Sequence, residues 1–358
     1  MSRGAVDAGG RLRGVGAGDK NAARVGLSGE EAYARAFEHV DQAEAAGLDI
    51  VDIAEFHFIP ARVVSSPLTL AAFVAGRTRR IKIATSVLVL PLGNPIRMAE
   101  EAATLDQASG GRLEVGVGRS GFQVSYDGYG VAYAESRDRF QEALDVIVGA
   151  WTNERFSYEG MHYSYNDVVL VPKPLQVPHP PVRIAASSDE TFPMIGRMGY
   201  PLLVGLRQVS LKKLGEQIAS YRQAWYDAGH ADNPDVSLRV PVYVAPTAAA
   251  AAAEPEESFM RQFRRVATQM VDSASRAGVD ASRGERGSAL AGITWEEVMD
   301  DRVIVGTPER CIAQIRRFGE VLGLAEVVAE FNAGEVISPD RIARSLALFA
   351  GDVVPALR

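Results

Sequence analysis

From residue 29 to its C-terminus this chain of 358 residues switches repeatedly between segments with a helical period and short apolar runs. EEAYARAFEHVDQAEAAG sets Tyr33, Phe37, Val40 and Ala43 on one face, and Gly47 ends it. LDIVDIAEF then reads as a strand and PLTLAAFVAGRT as a helix. IKIATSVLVLP is apolar on both faces, as a buried parallel strand should be. NPIRMAEEAATLDQASGG and RLEVGVG repeat the pair, and SRDRFQEALDVIVGAW follows with Phe140, Leu144, Ile147 and Trp151 at helical spacing. PVRIAAS, YPLLVG, SLRVPVYVAPT and AEVVAEF read as later strands. The helix with the clearest pattern puts Leu211, Leu214, Ile218, Tyr221 and Trp225 at 3-4-3-4 spacing. Such alternation selects an α/β fold with a parallel sheet, and a run this long points to a closed (β/α)8 TIM barrel rather than an open sheet.

Seven strands are clear, and the eighth should come first. Residues 1–28 hold seven glycines, and RLRGV (11–15) is the best candidate within them, so the first strand is expected to be weak or missing. A missing strand would leave two sheet edges unpaired. The domain reading is a glycine-rich segment over 1–28, poorly ordered or an atypical first strand, and a single barrel domain over 29–358 with insertions. A wrongly chosen start would also explain that composition. The aromatic and proline-rich insertion at 151–181 is expected to form a small hairpin or lid. The polar, Ala-rich excursion at 248–300 is too long for an ordinary connection and is expected to act as a mobile closing loop.

Gly116-Val117-Gly118-Arg119-Ser120-Gly121 fits the pattern G-x-G-x-x-G. A dinucleotide-binding turn needs a strand before it, a helix opening within it, and an acidic residue at a second strand end about 20 residues on. RLEVGVG supplies the strand. FQVSYDGYGVAY reads as no helix start, and Glu142 belongs to a helix rather than to a strand tip. The dinucleotide reading fails on context.

The balance of 38 basic against 45 acidic residues, with a pI near 5.4, argues against nucleic acid as a partner. A single cysteine, Cys311, excludes an intrachain disulfide and a cysteine metal cluster, and it reads as a small buried residue on a helix. The histidines show no ligand spacing, so no metal is expected, and neither a P-loop nor a G-x-S-x-G elbow is present. No apolar run reaches membrane-spanning length and the N-terminus lacks an apolar signal core, so a soluble cytoplasmic protein is expected.

In a barrel, function sits at the C-terminal ends of the strands. Those positions are Glu55–Phe58, Ser86–Pro91, Gly118–Phe122, Ser187–Thr191, Gly205–Arg207 and the neighbourhood of Val244. Arg119 stands where a phosphate or carboxylate could be held, among glycines that leave backbone N–H groups accessible. Ser187, Ser188 and Thr191 open the following helix, whose N-terminus favours an anion. They could equally be a plain helix cap. Together with Arg119 on the neighbouring strand they favour a phosphate site.

AEFHF (54–58), ATSVLVLPLGNPIRMAEEAATLDQASGGRLEVGVGRSG (84–121) and ASSDETFPMIGRMGYPLLVG (186–205) resemble the bacterial luciferase-like flavin-dependent monooxygenases. The resemblance runs from about residue 30 to the C-terminus and is most specific over 80–121. It implies a barrel that binds reduced FMN or, in a sister branch, the deazaflavin F420. By motif position, Arg119 would contact the flavin phosphate, with Ser188 and Thr191 completing the site. Ser86-Val87 corresponds to a non-proline cis peptide against the flavin ring. The candidate cofactor-binding residues are thus Glu55, Ser86, Val87, Gly118, Arg119, Ser187, Ser188 and Thr191, and His57 is the candidate catalytic residue.

Light-emitting members carry two adjacent histidines after this glutamate, the first of them catalytic. Here Phe56 takes the first position and His57 keeps the second. An imidazole can act as acid or base, whereas Phe can only pack. In an extended chain His57 should point away from the side that Phe56 faces. The leading expectation is a two-component monooxygenase taking reduced FMN from a separate flavin reductase and oxidising a small organic molecule with O2. Alternatives are an F420-dependent reductase or dehydrogenase, and a flavin-binding partner subunit that has lost catalysis. A homodimer is one expected assembly.

Overall fold

A computed structural model describes residues 11–16, 29–59, 62–274 and 283–358, the first of these segments by its backbone alone. Eight parallel strands close on themselves. In chain order these are β1 (Arg11–Gly16), β2 (Ile50–Ile53), β3 (Lys82–Val89) and β4 (Leu113–Gly118), then, after a hairpin of β5 (Phe156–Glu159) and β6 (Ser164–Val168), β7 (Val182–Ala185), β8 (Leu202–Gly205) and β9 (Val236–Val244). A short β10 (Ile304–Gly306) precedes the last barrel strand, β11 (Glu326–Glu330). The ring runs β1-β2-β3-β4-β7-β8-β9-β11 and returns to β1.

The strand expected to be weak or missing is therefore present. RLRGVG pairs with β11 from Arg11↔Glu326 to Gly14↔Ala329, and with β2 at Arg13↔Ile50 and Gly16↔Asp52. A continuous ladder to β11 and an irregular one to β2 hold it, so backbone pairing overrides a poor local propensity. Residues 1–10 and 17–28, the rest of the glycine-rich segment, lie outside the described residues. β10 was not foreseen. β9 pairs with β11 as far as Pro241, and from Val242 to Val244 it pairs with β10 instead. Proline has no N–H to donate, and here it marks the point where the strand changes partner.

Helices cover the ring: α1 (Gly29–Ala45), α2 (Pro67–Arg77), α3 (Pro95–Ser109), α4 (Gln123–Tyr129), α5 (Ser136–Thr152), α6 (Thr191–Met198) and α7 (Leu211–Asp227). α8 (Ala248–Ala253), α9 (Glu256–Ser273), α10 (Arg283–Ala291) and α11 (Trp295–Asp301) form the excursion, and α12 (Pro308–Leu322) and α13 (Pro339–Leu348) follow. α3 shows why the breaks fall where they do. The Asn94 side chain accepts from the Arg97 N–H, Pro95 occupies the first turn, and Gly110 ends the helix at φ 69°. The apolar stripes face inward: Phe140, Leu144, Ile147 and Trp151 of α5 are buried, as are Leu211, Leu214, Ile218, Tyr221 and Trp225 of α7. Cys311 is buried on α12, and burial pushes its thiol up to about 12.

One expectation fails outright. FQVSYDGYGVAY, read as no helix start, contains α4. Its Tyr126 is fully buried and donates its hydroxyl to the Arg119 carbonyl, a tertiary anchor that local pattern does not reveal. The insertion at 151–181 does contain a hairpin, β5–β6. Asp106, within the LDQ run of α3, accepts from the backbone N–H groups of Leu175 and Gln176 and pins the chain that follows the hairpin.

The barrel floor is charged. Arg183 reaches across from β7 to donate to Ser237 Oγ at 2.8 Å, and it lies 3.6 Å from Glu326 and 3.8 Å from Glu114. Ser237 donates onward to Glu326 at 2.6 Å, and Lys82 holds Glu114 at 3.0 Å. Each of these residues stands at or next to the N-terminal end of its strand, opposite the mouth.

Candidate functional site

At the C-terminal end of β2 the chain turns so that Glu55 and His57 are both buried. His57 Nε2 lies 2.6 Å from Glu55 Oε1, while Glu55 Oε2 accepts from the Val89 backbone N–H at 2.8 Å. The other imidazole nitrogen, Nδ1, lies 3.2 Å from the Tyr129 hydroxyl on α4. Burial, followed by the Glu55 charge, raises the Tyr129 phenol above its ordinary value. Carboxylate, imidazole and phenol thus form one hydrogen-bonded row. Phe56 takes part in none of it. Its ring packs edge-on against Phe122 at 5.7 Å, and the Arg62 guanidinium lies over it at 4.0 Å. Phe58 next in line adopts φ 55°, which turns the chain out toward solvent.

At the end of β3 the Ser86-Val87 peptide is cis, and the buried Ser86 hydroxyl has no hydrogen-bond partner among the described residues. β4 lies tight against this stretch. A Cβ on Gly116 would sit 2.2 Å from the Thr85 carbonyl oxygen, and one on Gly118 would sit 2.8 Å from Val87 Cγ2. The glycines of the G-x-G-x-x-G run thus serve close strand packing. Beyond them Arg119 is half-buried. Its Nη1 reaches Ser136 Oγ only at 3.4 Å, and no carboxylate pairs with it among the described residues. β7 ends alongside, through the Val117↔Ile184 register. Ser188 and Thr191 share a hydroxyl–hydroxyl hydrogen bond of 2.7 Å, and neither side chain caps α6. The capping reading is therefore not what these hydroxyls do. Ser187 stands exposed beside them.

The opposite side of the mouth holds Arg207, at a strand end named from the sequence, together with arginines that sequence reasoning did not single out. Glu330, which ends β11, is shared by Arg207 after β8 and Arg239 of β9, the latter at 3.0 Å. Arg239 also donates to the Ser86 carbonyl at 3.3 Å. α9 crosses above them: Ser258 donates to the Ala333 carbonyl, Arg265 pairs with Glu335 at 3.0 Å, and Gln269 reaches the Gly121 carbonyl at 3.4 Å. The turn that delivers Glu335 requires Gly334 at φ 93°, where a Cβ would collide with the Ser258 carbonyl at 1.6 Å. Arg239 carried one legible signal, a charge inside the otherwise apolar run SLRVPVYV. Arg62 and Arg265 carried none. Among the described residues no group of His, Cys, Asp and Glu is placed to hold a metal ion, and no helix is long and apolar enough to cross a membrane.

The profile of the family described as luciferase-like monooxygenase matches residues 14–325. The chain belongs to that family. Among its relatives, the uncharacterized protein y4vJ of Sinorhizobium fredii is 35% identical over 172 residues, 48% of this chain and 49% of that protein. The chain thus aligns with about half the length of that relative, and the same holds for a second S. fredii protein, y4wF, at 46%. The alkanal monooxygenase alpha chain of Photorhabdus luminescens is 27% identical across 88% of this chain and 89% of its own. In fold, the monooxygenase RslO1 of Streptomyces bottropensis superposes with a TM-score of 0.79 at 22% identity, covering 97% of this chain and 100% of that one. The oxygenating constituent of 3,6-diketocamphane monooxygenase from Pseudomonas putida, solved with FMN, gives 0.77 at 21% identity, covering 93% and 95%. An F420-dependent secondary alcohol dehydrogenase gives 0.71 at 21% identity, covering 91% and 95%. The luciferase-like barrel is the architecture all three share with this chain.

Proposed function

We propose that this chain is the oxygenase component of a two-component system, taking reduced FMN from a separate flavin reductase and oxidising a small organic molecule with O2. The observation that carries the reading is Arg119, a half-buried cation without a carboxylate partner among the described residues, at the strand end beside the Ser188–Thr191 hydroxyl pair. That set suits a phosphate monoester: a guanidinium fork, two hydroxyls and a helix N-terminus. The rest of the site fits a flat ring system. Gly116 and Gly118 keep the β3–β4 wall low, and the Ser86 hydroxyl offers an unspent hydrogen bond. Two relatives in fold, one solved with FMN and one named for F420, hold related cofactors in the same barrel. Bound flavin would supply the oxygen chemistry, which no side chain here can.

The chain's own residues then have definable roles. Arg119, Ser188 and Thr191 hold the phosphate, with Ser187 at the solvent side. Ser86, Val87 and Gly118 line the ring. His57, hydrogen-bonded to Glu55 and Tyr129, holds a proton that it can pass between the buried carboxylate and the phenol at the mouth. α9 across the mouth excludes water.

The test is anaerobic titration of the full chain with reduced FMN, reduced riboflavin and reduced F420. Arg119→Ala should weaken FMN about 10- to 100-fold, as expected for charge-assisted hydrogen bonds of about 1.5–3 kcal/mol, and leave riboflavin nearly unchanged. A folded wild-type protein that binds no reduced FMN sinks the reading. Preferential binding of F420 transfers it to hydride chemistry.

A further inference from the structure

The charge at the mouth does not close on itself. Four guanidinium groups, Arg62, Arg207, Arg239 and Arg265, surround two carboxylates, Glu330 and Glu335, among the described residues. Glu330 is already divided between Arg207 and Arg239, and Glu335 is taken by Arg265. Arg62 is left over. Its guanidinium lies 4.0 Å above the Phe56 ring and 4.9 Å from the Phe122 centroid, with no carboxylate or carbonyl in hydrogen-bond reach among the described residues. The Arg265 Nε is buried and equally without a hydrogen-bond partner there. Burial, together with Arg265, Arg207 and Arg239, depresses the Arg62 pKa, and Glu335 opposes this only in part. Arg62 is half-buried, and taking a cation even partly out of water is costly unless something pairs with it. Ring faces recover about 0.5–2 kcal/mol of that at most.

We propose that Arg62 and Arg265, backed by Arg207 and Arg239, bind the anionic group of the substrate, which is a small organic acid bearing a carboxylate or sulfonate. This rests on the flavin reading, since it makes the arginine side of the mouth the substrate side and the Arg119 side the phosphate side. Contact between Arg239 and the Ser86 carbonyl places the cluster next to the proposed ring site. The inference also gives Phe56 a purpose. Its ring, with that of Phe122, forms an aromatic platform that holds a cation over the mouth, so Phe56 is a positioning residue.

Isothermal titration on the full chain with matched eight-carbon probes decides it. Octanoate, octanesulfonate and neutral octanol are each titrated with FMN saturating, so that the phosphate site is filled. Both anions should bind at least tenfold more tightly than octanol. Arg62→Gln should remove most of that preference, Arg62→Lys should keep part of it, and Phe56→Leu should lower it several-fold. The ratio of FMN to riboflavin affinity should stay unchanged in all three. Arg265→Gln provides a second route should Arg62→Gln fail to fold. The proposal is overturned if octanol binds as well as the anions in the wild type. It is equally overturned if Arg62→Gln and Arg265→Gln leave anion affinity intact, or if Arg62→Gln lowers FMN relative to riboflavin, which would make the cluster a phosphate site. Should wild type bind no FMN, the titrations run in Arg119→Ala without it. An intact anion preference there keeps the cluster's role while the flavin reading falls.

Discussion

The barrel carries buried charge at both ends, and the two ends are built differently. At the floor, Arg183 donates to Ser237 and lies between the carboxylates of Glu114 and Glu326, although its buried Nε has no hydrogen-bond partner among the described residues. At the mouth, Arg62 lies on two phenylalanine rings with no carboxylate paired to it among the described residues. Both regions sit inside one ring of parallel strands, so the difference cannot come from the fold. At the floor each cation has a carboxylate beside it and serves the scaffold, whereas the surplus at the mouth is what the proposed anionic substrate would take up. That distinction is what the arrangement teaches, and it can be tested end by end.

The largest effect should come from cutting the floor. Arg183→Met removes the cation between Glu114 and Glu326, leaving Lys82 beside the one and Ser237 beside the other, and should cost about 3–5 kcal/mol, read as a fall in the denaturation midpoint. The matching change at the mouth, Arg62→Met, removes a half-buried cation crowded by other arginines and should leave the midpoint unchanged or raised. Equal losses at both ends would abolish the distinction. Next in size is Gly118→Ala, which sets a methyl group 2.8 Å from Val87 Cγ2. Overpacking there should cost about 1–3 kcal/mol and weaken FMN binding while leaving the floor untouched. A variant with unchanged FMN affinity would place the ring elsewhere.

The smallest effect belongs to neither end. The Cys311 thiol, with its pKa raised by burial from 9.0 to about 12, remains protonated in the folded chain where it would ionise in the unfolded one. Its contribution is therefore complete below pH 9 and is lost as pH rises toward 12. By pH 10 the loss should be about 1 kcal/mol, absent from Cys311→Ala. Denaturation profiles of the two proteins across pH 8–10 with parallel slopes would show the thiol to be solvated.

The fold was largely legible because burial imposes a period that survives in the sequence. Leu214, Ile218 and Tyr221 announce the inner face of α7 by their spacing alone. The strand ends bearing Glu55, Ser86, Arg119 and Ser188 were also legible, since a barrel gathers strand C-termini at one rim. α4 was not, because its stability depends on Tyr126 reaching the Arg119 carbonyl rather than on a local pattern. β1 is the converse case: RLRGVG looks poor alone and is held by ladders to β2 and β11.

By itself the sequence determined the alternation, hence the parallel barrel, and which rim carries the chemistry. Only the tertiary structure decided what the rim contains. It turned His57 into the middle of a row between Glu55 and Tyr129, and it put Phe56 under a guanidinium. It also assembled Arg62, Arg207, Arg239 and Arg265 from two strand-end loops, a strand and a helix more than 200 residues apart at the extremes. Periodicity is local and can be read along the chain. Charge balance is a sum over space, and it exists only once the ring has closed.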